Sequence, residues 1–268
     1  MTLFPESRVA AFFDLDGTVI AKPSLEWRFF AWLIQRGEIP PENRRHWLVQ
    51  AARLAPQGLT AMRHANKMYL RGISYRNLVR SNHNRYAGMA APSFLPDAVH
   101  RLTWHAHYGH AIFLVTGTLE PLAREIARAL ATFLAIRGFN VPLGVLATRL
   151  QQRNEVWTGY VDGAPMFGAA KATAIRNVAG EMRIDLSRCY AYADSFTDRH
   201  LLETVGHPGA VNPSTRLRRL AQRHAWPILS WPATKSISTS KHPTPPCSPG
   251  LPFRPAALRE QEQIPKSD

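Results

Sequence analysis

The sequence is poor in cysteine and in long apolar runs, and it has no internal repeat. Its 268 residues include only Cys189 and Cys247, too few for a disulfide framework, although the chain is long enough to bury a sizeable core. Each apolar run is far shorter than the roughly 20 residues needed to cross a bilayer. Residues 1–8 contain Pro5 and Glu6, so we expect no signal peptide. These absences favour a reducing, cytoplasmic setting.

Acidic residues are also scarce. The chain has 19 Asp and Glu against 33 Lys and Arg, a net charge of +14 and a pI near 10.5, a balance that favours polyanionic partners. Residues 21–100 hold twelve basic and four acidic residues, a net charge of +8. This segment is either a solvated arginine-rich face or an anion-attracting surface. For the basic stretch at 214–224 we prefer a solvated face, and we do not expect a nucleic-acid partner.

Alternating apolar and amphipathic segments predict an α/β fold. The apolar runs at 9–14, 111–116 and 189–193 are typical of buried strands, and amphipathic helices lie between them. This alternation predicts a parallel sheet flanked by helices, with its site at the carboxyl ends of the strands. Residues 140–167 differ, since the stretches at 144–150 and 156–163 predict an antiparallel excursion.

Two further regions set the domain organisation. Residues 21–95 contain no convincing strand and several helical patterns, and an insert at this place lies above the carboxyl ends of the first two strands, as a lid. The segment 233–268 is rich in Pro, Ser, Thr and Lys and cannot bury enough apolar surface to offset its chain entropy. We therefore predict an α/β core formed by residues 1–20 and 96–232, a helical cap at 21–95 and a largely disordered tail at 233–268.

The first predicted strand ends in a pair of acids, Asp14 and Asp16, followed by Gly17 and Thr18. Charge is costly to bury unless it is paired or bound to a metal. Two carboxylates at a strand end are suited to hold Mg²⁺, which prefers oxygen ligands. One of them is also suited to nucleophilic attack and the other to proton transfer.

Three later segments place complementary groups at strand ends or helix starts. Thr116 and Gly117 follow the second strand, beside a helix N-terminus that suits a phosphate; the alternative is that Thr116 only caps that helix. Lys171 opens a helix and supplies a cation. Asp194 leaves the third strand as Asp14 leaves the first, and Asp198 follows one helical turn later.

In this order, the four segments resemble the motifs of the haloacid dehalogenase (HAD) superfamily, and more narrowly its subfamily IB, the phosphoserine-phosphatase-like hydrolases. The resemblance covers about residues 8–231. It implies a Rossmann-like core with a parallel sheet flanked by helices and a small all-helical cap inserted after the first strand. It also implies Mg²⁺-dependent hydrolysis of a small phosphorylated metabolite through an aspartyl-phosphate.

The resemblance assigns a role to each motif residue. It implies that Asp14 is the nucleophile, that Asp16 is the general acid and base and that Lys171 neutralises the phosphoryl group. The remaining implied assignments are Thr116, Gly117 and Thr18 for substrate binding, Asp14, Asp16 and Asp194 for the metal, with the main-chain carbonyl of Asp16 facing it, and Asp198 behind the metal site.

The chain also departs from the family pattern. Ala193 stands where glycine is common, and Thr197 stands where phosphoserine phosphatases have asparagine. Pro23 occupies the position of the cap glutamate of those enzymes, which weighs against serine recognition and leaves hydrolysis unaffected. The cap offers other cations for an anionic substrate, in the region of Arg63, Lys67 and Arg71.

Two alternative functions stay open at this point. The first keeps the phosphatase chemistry but directs it at phospholipid head groups, with the arginine-rich cap drawn to an anionic membrane surface. The second is a non-catalytic, basic nucleic-acid-binding protein, against which the intact acids of the motifs count.

A cluster of histidines is the last feature of the sequence with metal-ligating side chains. Its members are His100, His105, His107 and His110, whose spacing holds no i, i+4 pair, and no cysteine lies nearby. The pattern predicts an ordinary polar helix end rather than a zinc site.

Overall fold

The first strand, β1 (Ala10–Phe13), consists of four buried residues. Ala11 and Phe13 pack in one hydrophobic cluster and Phe12 in a second one, so both faces of the strand are covered. Strands covered on both faces are continuously apolar rather than alternating, as in this sequence. The protein is described here by a computed structural model, which covers residues 8–57, 66–74 and 94–233.

β1 lies inside a six-stranded sheet in which every pair of neighbours is parallel. The other strands of this sheet are β2 (Ala111–Leu119), β3 (Leu143–Thr148), β6 (Tyr190–Ala193), β7 (His207–Val211) and β8 (Ile228–Leu229). Their order across the sheet is β3-β2-β1-β6-β7-β8. The strand order reverses between β1 and β6, and in open α/β sheets ligands bind at the carboxyl ends beside such a reversal.

Helices flank the sheet. The α-helices of the described residues are α1 (Leu25–Gln35), α2 (Pro41–Leu54), α3 (Pro96–His107), α4 (Glu120–Ile136), α5 (Ala169–Met182), α6 (Arg199–Glu203) and α7 (Thr215–Arg223). The predicted α/β fold, a Rossmann-like parallel sheet flanked by helices, is therefore confirmed.

An antiparallel excursion is present, formed by β4 (Leu150–Arg153) and β5 (Val156–Val161) as a separate two-stranded sheet, and the predicted pairing is confirmed for β5 but only for Leu150 of the first predicted stretch. The prediction was wrong for residues 144–148, which lie in β3 and pair in parallel with β2. A short apolar run beside a turn suits either pairing, and its partner strand decides between them.

The segment between β1 and α3 contains α1, α2 and the stretch 66–74. Asn43, on α2, is buried and its amide donates to the carbonyls of Tyr69, over 3.2 Å, and Arg71, over 2.6 Å. The Gly72 N–H donates to the carbonyl of Trp157, on β5, over 2.8 Å. The helical segment is therefore hydrogen-bonded to β5. The boundaries of core and cap stay a prediction, and residues 58–65, 75–93 and 234–268, with Arg63 and nearly all of the predicted tail, lie outside the described residues.

Candidate active site

Two aspartates lie side by side at the carboxyl ends of the two central strands of the sheet. Asp14 follows the last residue of β1, and Asp194 follows the last residue of β6. The strands are parallel neighbours, and the pairing extends one step beyond β1, where the Asp14 N–H donates to the Tyr192 carbonyl over 2.9 Å. Residues that are 180 positions apart thus meet at one sheet edge because each leaves a strand in the same direction.

Lys171 forms ion pairs with Asp14 and with a third aspartate, Asp198. Its Nζ lies 2.6 Å from Asp14 Oδ1 and 2.8 Å from Asp198 Oδ1, and all three side chains are buried. Burial alone lowers the pKa of Lys171, but the two carboxylates outweigh it and raise that pKa above its ordinary value. The ammonium is therefore charged at any physiological pH, which offsets the cost of burying the acids.

Asp14, Asp194 and Asp198 form a carboxylate cluster. One oxygen from each lies within 4.8 Å of the others. Burial raises the pKa of Asp14 well above its ordinary value, and the neighbouring carboxylates of Asp198 and Asp194 raise it further, against the effect of Lys171. Burial also raises the pKa of Asp194. A hard divalent cation fits this donor set, because Mg²⁺ takes carboxylate oxygens and would relieve their mutual repulsion.

The carboxylate of Asp16 stands apart from that cluster. Its Oδ1 accepts the N–H of Leu25, at the start of α1, over 2.7 Å, and its Oδ2 accepts the hydroxyl of Thr118 over 2.7 Å. Burial raises the pKa of Asp16, and these two hydrogen bonds partly oppose it. The structure thus groups the side chain of Asp198, rather than that of Asp16, with Asp14 and Asp194. Asp16 carries a fixed carboxylate suited to hold a proton.

The turn after Asp16 depends on Gly17, which has a φ of +92°. A Cβ at this position would lie 2.5 Å from Asp194 Oδ2 and 2.8 Å from Lys22 Cε, closer than real contacts allow. Glycine is therefore required both by the backbone conformation and by the close approach of the two side chains. Thr18 follows it and donates to Asp14 Oδ2 over 3.4 Å.

The end of β2 supplies Thr116 and Gly117. The Thr116 Oγ1 accepts the N–H of Thr118 over 3.1 Å, and the Gly117 carbonyl accepts the hydroxyl of Thr148 over 2.8 Å. Leu119, not Thr116, occupies the N-terminal cap of α4, so the capping alternative for Thr116 is wrong. These two hydrogen bonds hold the backbone at the end of β2, and the Thr118 hydroxyl connects this strand end to Asp16.

Three residues of the site were not predicted from the sequence. The Thr118 side chain and the Leu25 N–H hold Asp16, and the Nζ of Lys22 lies 2.7 Å from Asp194 Oδ2. The signal for Thr118 was its place directly after Thr116-Gly117. Leu25 and Lys22 carry no motif of their own, because their contacts depend on how the chain turns after β1.

Of the cap cations that the sequence suggested for substrate binding, Lys67 is fully buried and ion-paired with Glu26, whose Oε1 also accepts the hydroxyl of Tyr69 over 3.2 Å. The carboxylate of Glu26 is near enough to Asp16 to raise its pKa slightly. Arg71 lies beside His46, with Nη1 to Nε2 at 3.3 Å. Lys67 therefore neutralises a carboxylate inside the helical segment.

The histidine cluster was predicted as an ordinary polar helix end, which is wrong for His105. This residue is fully buried, and its Nε2 lies 3.0 Å from the hydroxyl of Tyr192, on the strand that leads to Asp194. Its Nδ1 lies 2.8 Å from Nδ1 of His110. Burial lowers the pKa of His105 well below its ordinary value. His105 is therefore part of the packing against the strand that leads to Asp194, whereas His100 and His107 are exposed.

Comparison with known proteins agrees with this arrangement. The family model described as haloacid dehalogenase-like hydrolase matches residues 11–203. The chain is 30% identical over 237 residues to a probable phosphatase of Mycobacterium tuberculosis, covering 87% of this chain and 79% of the relative. It is 30% identical over 226 residues to a phosphoserine phosphatase of the same organism, covering 82% and 70%.

A solved structure is similar as well. A Bordetella pertussis protein of unknown function superposes with a TM-score of 0.66 and 30% identity, over 83% of this chain and 98% of that one. Among the described residues, no helix has the length and apolarity to cross a bilayer.

Proposed function

We propose that this chain, which belongs to the haloacid dehalogenase-like hydrolases and is a phosphatase of that family, hydrolyses a small phosphomonoester through an aspartyl-phosphate on Asp14, with Mg²⁺ as cofactor. The observation that carries the proposal is the cluster of Asp14, Asp194 and Asp198 around the buried Lys171. Phosphoryl transfer needs positioning and charge neutralisation more than other covalent chemistry, and this cluster supplies both.

Asp14 is the nucleophile of the proposed reaction. Its Oδ1 is held by Lys171, which leaves Oδ2, 3.4 Å from the Thr18 hydroxyl, for attack on phosphorus. The bond from phosphorus to Asp14 forms as the bond to the leaving oxygen breaks. In this proposal Thr18, Thr116 and Gly117 hold the phosphoryl group, while Lys171 neutralises its charge.

Asp16 moves the proton. Burial raises its pKa, which favours the protonated form that donates to the leaving oxygen. It then takes a proton from the water that attacks phosphorus, which releases inorganic phosphate and restores Asp14. The fixed geometry from Leu25 and Thr118 keeps its carboxyl group in place through both steps.

The carboxylates of Asp14 and Asp194, the main-chain carbonyl of Asp16 and, behind them, Asp198 are the groups proposed to hold Mg²⁺. When bound, the ion neutralises charge that develops on the phosphoryl oxygens. One carboxylate oxygen of Asp198 belongs to the cluster with Asp14 and Asp194, which supports a position nearer the ion than the sequence implied for this residue.

The substrate class is a small phosphorylated metabolite, encountered in the cytoplasm. A free, buried thiol at Cys189 is compatible with a reducing compartment. One relative is a phosphoserine phosphatase, but Pro23 in place of the cap glutamate favours a substrate other than phosphoserine.

A panel of phosphorylated metabolites and lipid phosphates, assayed with and without Mg²⁺, tests the proposal. We expect Mg²⁺-dependent release of phosphate from at least one small metabolite, and none from Asp14→Asn at unchanged folding by circular dichroism. Glu181→Gln, an exposed carboxylate on α5, is the matched control and should keep wild-type turnover. Full activity of Asp14→Asn would overturn the mechanism. Activity confined to lipid phosphates on anionic vesicles would overturn the small-metabolite substrate and indicate phospholipid head groups at a membrane surface.

A further inference from the structure

A second lysine approaches the carboxylate cluster from the solvent side. Lys22 Nζ lies 2.7 Å from Asp194 Oδ2, and its side chain is 69% exposed whereas that of Asp194 is 5% exposed. Lys171 reaches the same cluster from the interior. Lys22 is therefore a cationic side chain on the solvent side of the site.

The local backbone leaves room for this contact. The absent Cβ of Gly17 is what allows Lys22 Cε and Asp194 Oδ2 to meet, since that atom would lie 2.8 Å and 2.5 Å from them. Even so, Lys22 has a long side chain with four rotatable bonds in solvent, so it can leave Asp194 with little strain. The ion pair between Lys22 and Asp194 is therefore short, but its lysine is exposed to solvent.

Charge balance indicates what else Lys22 would bind. Asp16 is neutral as the proposed proton donor, so three carboxylates (Asp14, Asp194, Asp198) and two ammonium groups (Lys22, Lys171) give the site a net charge of −1. A divalent cation brings it to +1, and a phosphomonoester dianion then makes it −1 again. An ammonium that turned from Asp194 to the dianion would place its positive charge beside the phosphate, while the cation neutralises Asp194.

We propose that Lys22 is a substrate-binding residue with two exclusive anionic partners. It pairs with Asp194 while that carboxylate is free, and with the phosphate group of the substrate when Asp194 ligates the divalent cation. The inference rests on the proposed function. The ion pair supports it, because a divalent cation bound to Asp194 would repel the ammonium that the same carboxylate holds at 2.7 Å and would weaken that contact.

The proposal predicts that Lys22→Met changes two affinities in opposite directions. Without the competing ammonium, the apparent Kd for Mg²⁺ alone, measured by thermal shift or calorimetry, should fall about two- to fivefold, the range set by an exposed ion pair. At saturating Mg²⁺, KM for the substrate and the inhibition constant of inorganic phosphate should both rise about tenfold, as for loss of one charge-assisted hydrogen bond.

Two control variants separate this role from a structural one. Lys22→Arg keeps the charge and should stay within about twofold of wild type in both measurements, a change of less than half a kcal/mol by the usual conversion. Arg36→Met removes an exposed cation paired with Glu38 at the end of α1 and should change neither affinity. Lys22→Met with both affinities unchanged, or both weakened, would overturn the inference. Wild type without Mg²⁺ binding or phosphatase activity would instead overturn the proposed function, and the inference with it.

Discussion

The hydroxyl of Thr118 donates to Asp16 Oδ2 over 2.7 Å and so joins the end of β2 to the loop that follows β1. The other carboxylate oxygen accepts the Leu25 N–H at the start of α1. The proposed proton-transfer residue is thus fixed between the sheet and the first helix of the inserted segment. Its orientation depends on both.

Thr118→Val tests this arrangement. Loss of the hydroxyl removes a hydrogen bond that lowers the pKa of Asp16, so that pKa should rise further above its ordinary value. Asp16 then stays protonated to higher pH, and the basic limb of the kcat profile should move upward. We expect kcat to fall about tenfold, as for one hydrogen bond of about 1.4 kcal/mol. Thr158→Val, on β5, is the control, and an unmoved limb in Thr118→Val would contradict the prediction.

Lys171→Met should be both inactive and less stable. It leaves Asp14 and Asp198 buried without their shared cation, at a cost of about 3–5 kcal/mol in the free energy of unfolding. Burial already raises the pKa of Asp14, and loss of the ammonium raises it further, so the acid is more readily neutralised in the folded variant. The difference from wild type should therefore shrink as pH falls. Urea titrations at several pH values measure this, and a pH-independent difference would refute it.

His105 should make stability depend on pH. Burial lowers its pKa below the unfolded value of about 6.5, and the nearby His110 and Arg101 act in the same direction. As pH falls through the unfolded value, the unfolded chain binds a proton that the folded one does not, so the free energy of unfolding should decrease. His105→Gln should show a smaller decrease over that interval, whereas an identical slope in both proteins would exclude this role.

The buried pair of Lys67 and Glu26 should matter more than a surface pair. Lys67→Met leaves Glu26, which is largely buried, without its cation and should cost about 3–5 kcal/mol. Arg124→Met, which breaks the i, i+4 pair with Glu120 on α4, should cost at most about 0.5 kcal/mol. Equal losses of stability in the two variants would contradict this, and the double variant Lys67→Met/Glu26→Met should recover part of the loss.

The sequence predicted the sheet and the place of the site for a physical reason. A continuous apolar run that ends in acid is unusual, and Asp14 and Asp194 share that context. Parallel strands bring their carboxyl ends to the same edge, so the meeting of these two residues follows from the fold class alone. The pairing of β3 was harder, because a strand of six residues has too little pattern to identify its neighbour.

The direction of each side chain could not be predicted from the sequence. Which acid of the first motif turns toward Asp194 depends on the Leu25 N–H and the Thr118 hydroxyl, and nothing in the motif shows that they hold Asp16. Likewise the burial of His105 depends on Tyr192, which lies 87 residues away. Contacts of this kind are set by tertiary packing, and the local hydrophobic periodicity of the sequence does not indicate them.

The ion pair between Lys171 and Asp14 spans 157 positions, and Asp198 lies farther along still. During synthesis, the protein therefore has no partial catalytic centre that works early. The proposed nucleophile, Asp14, leaves the ribosome before the groups that neutralise and orient it, since Lys171 follows β3 and Asp198 follows β6. Catalytic output should thus report completed folding of this chain, and proteolytic fragments that end before β6 should give none.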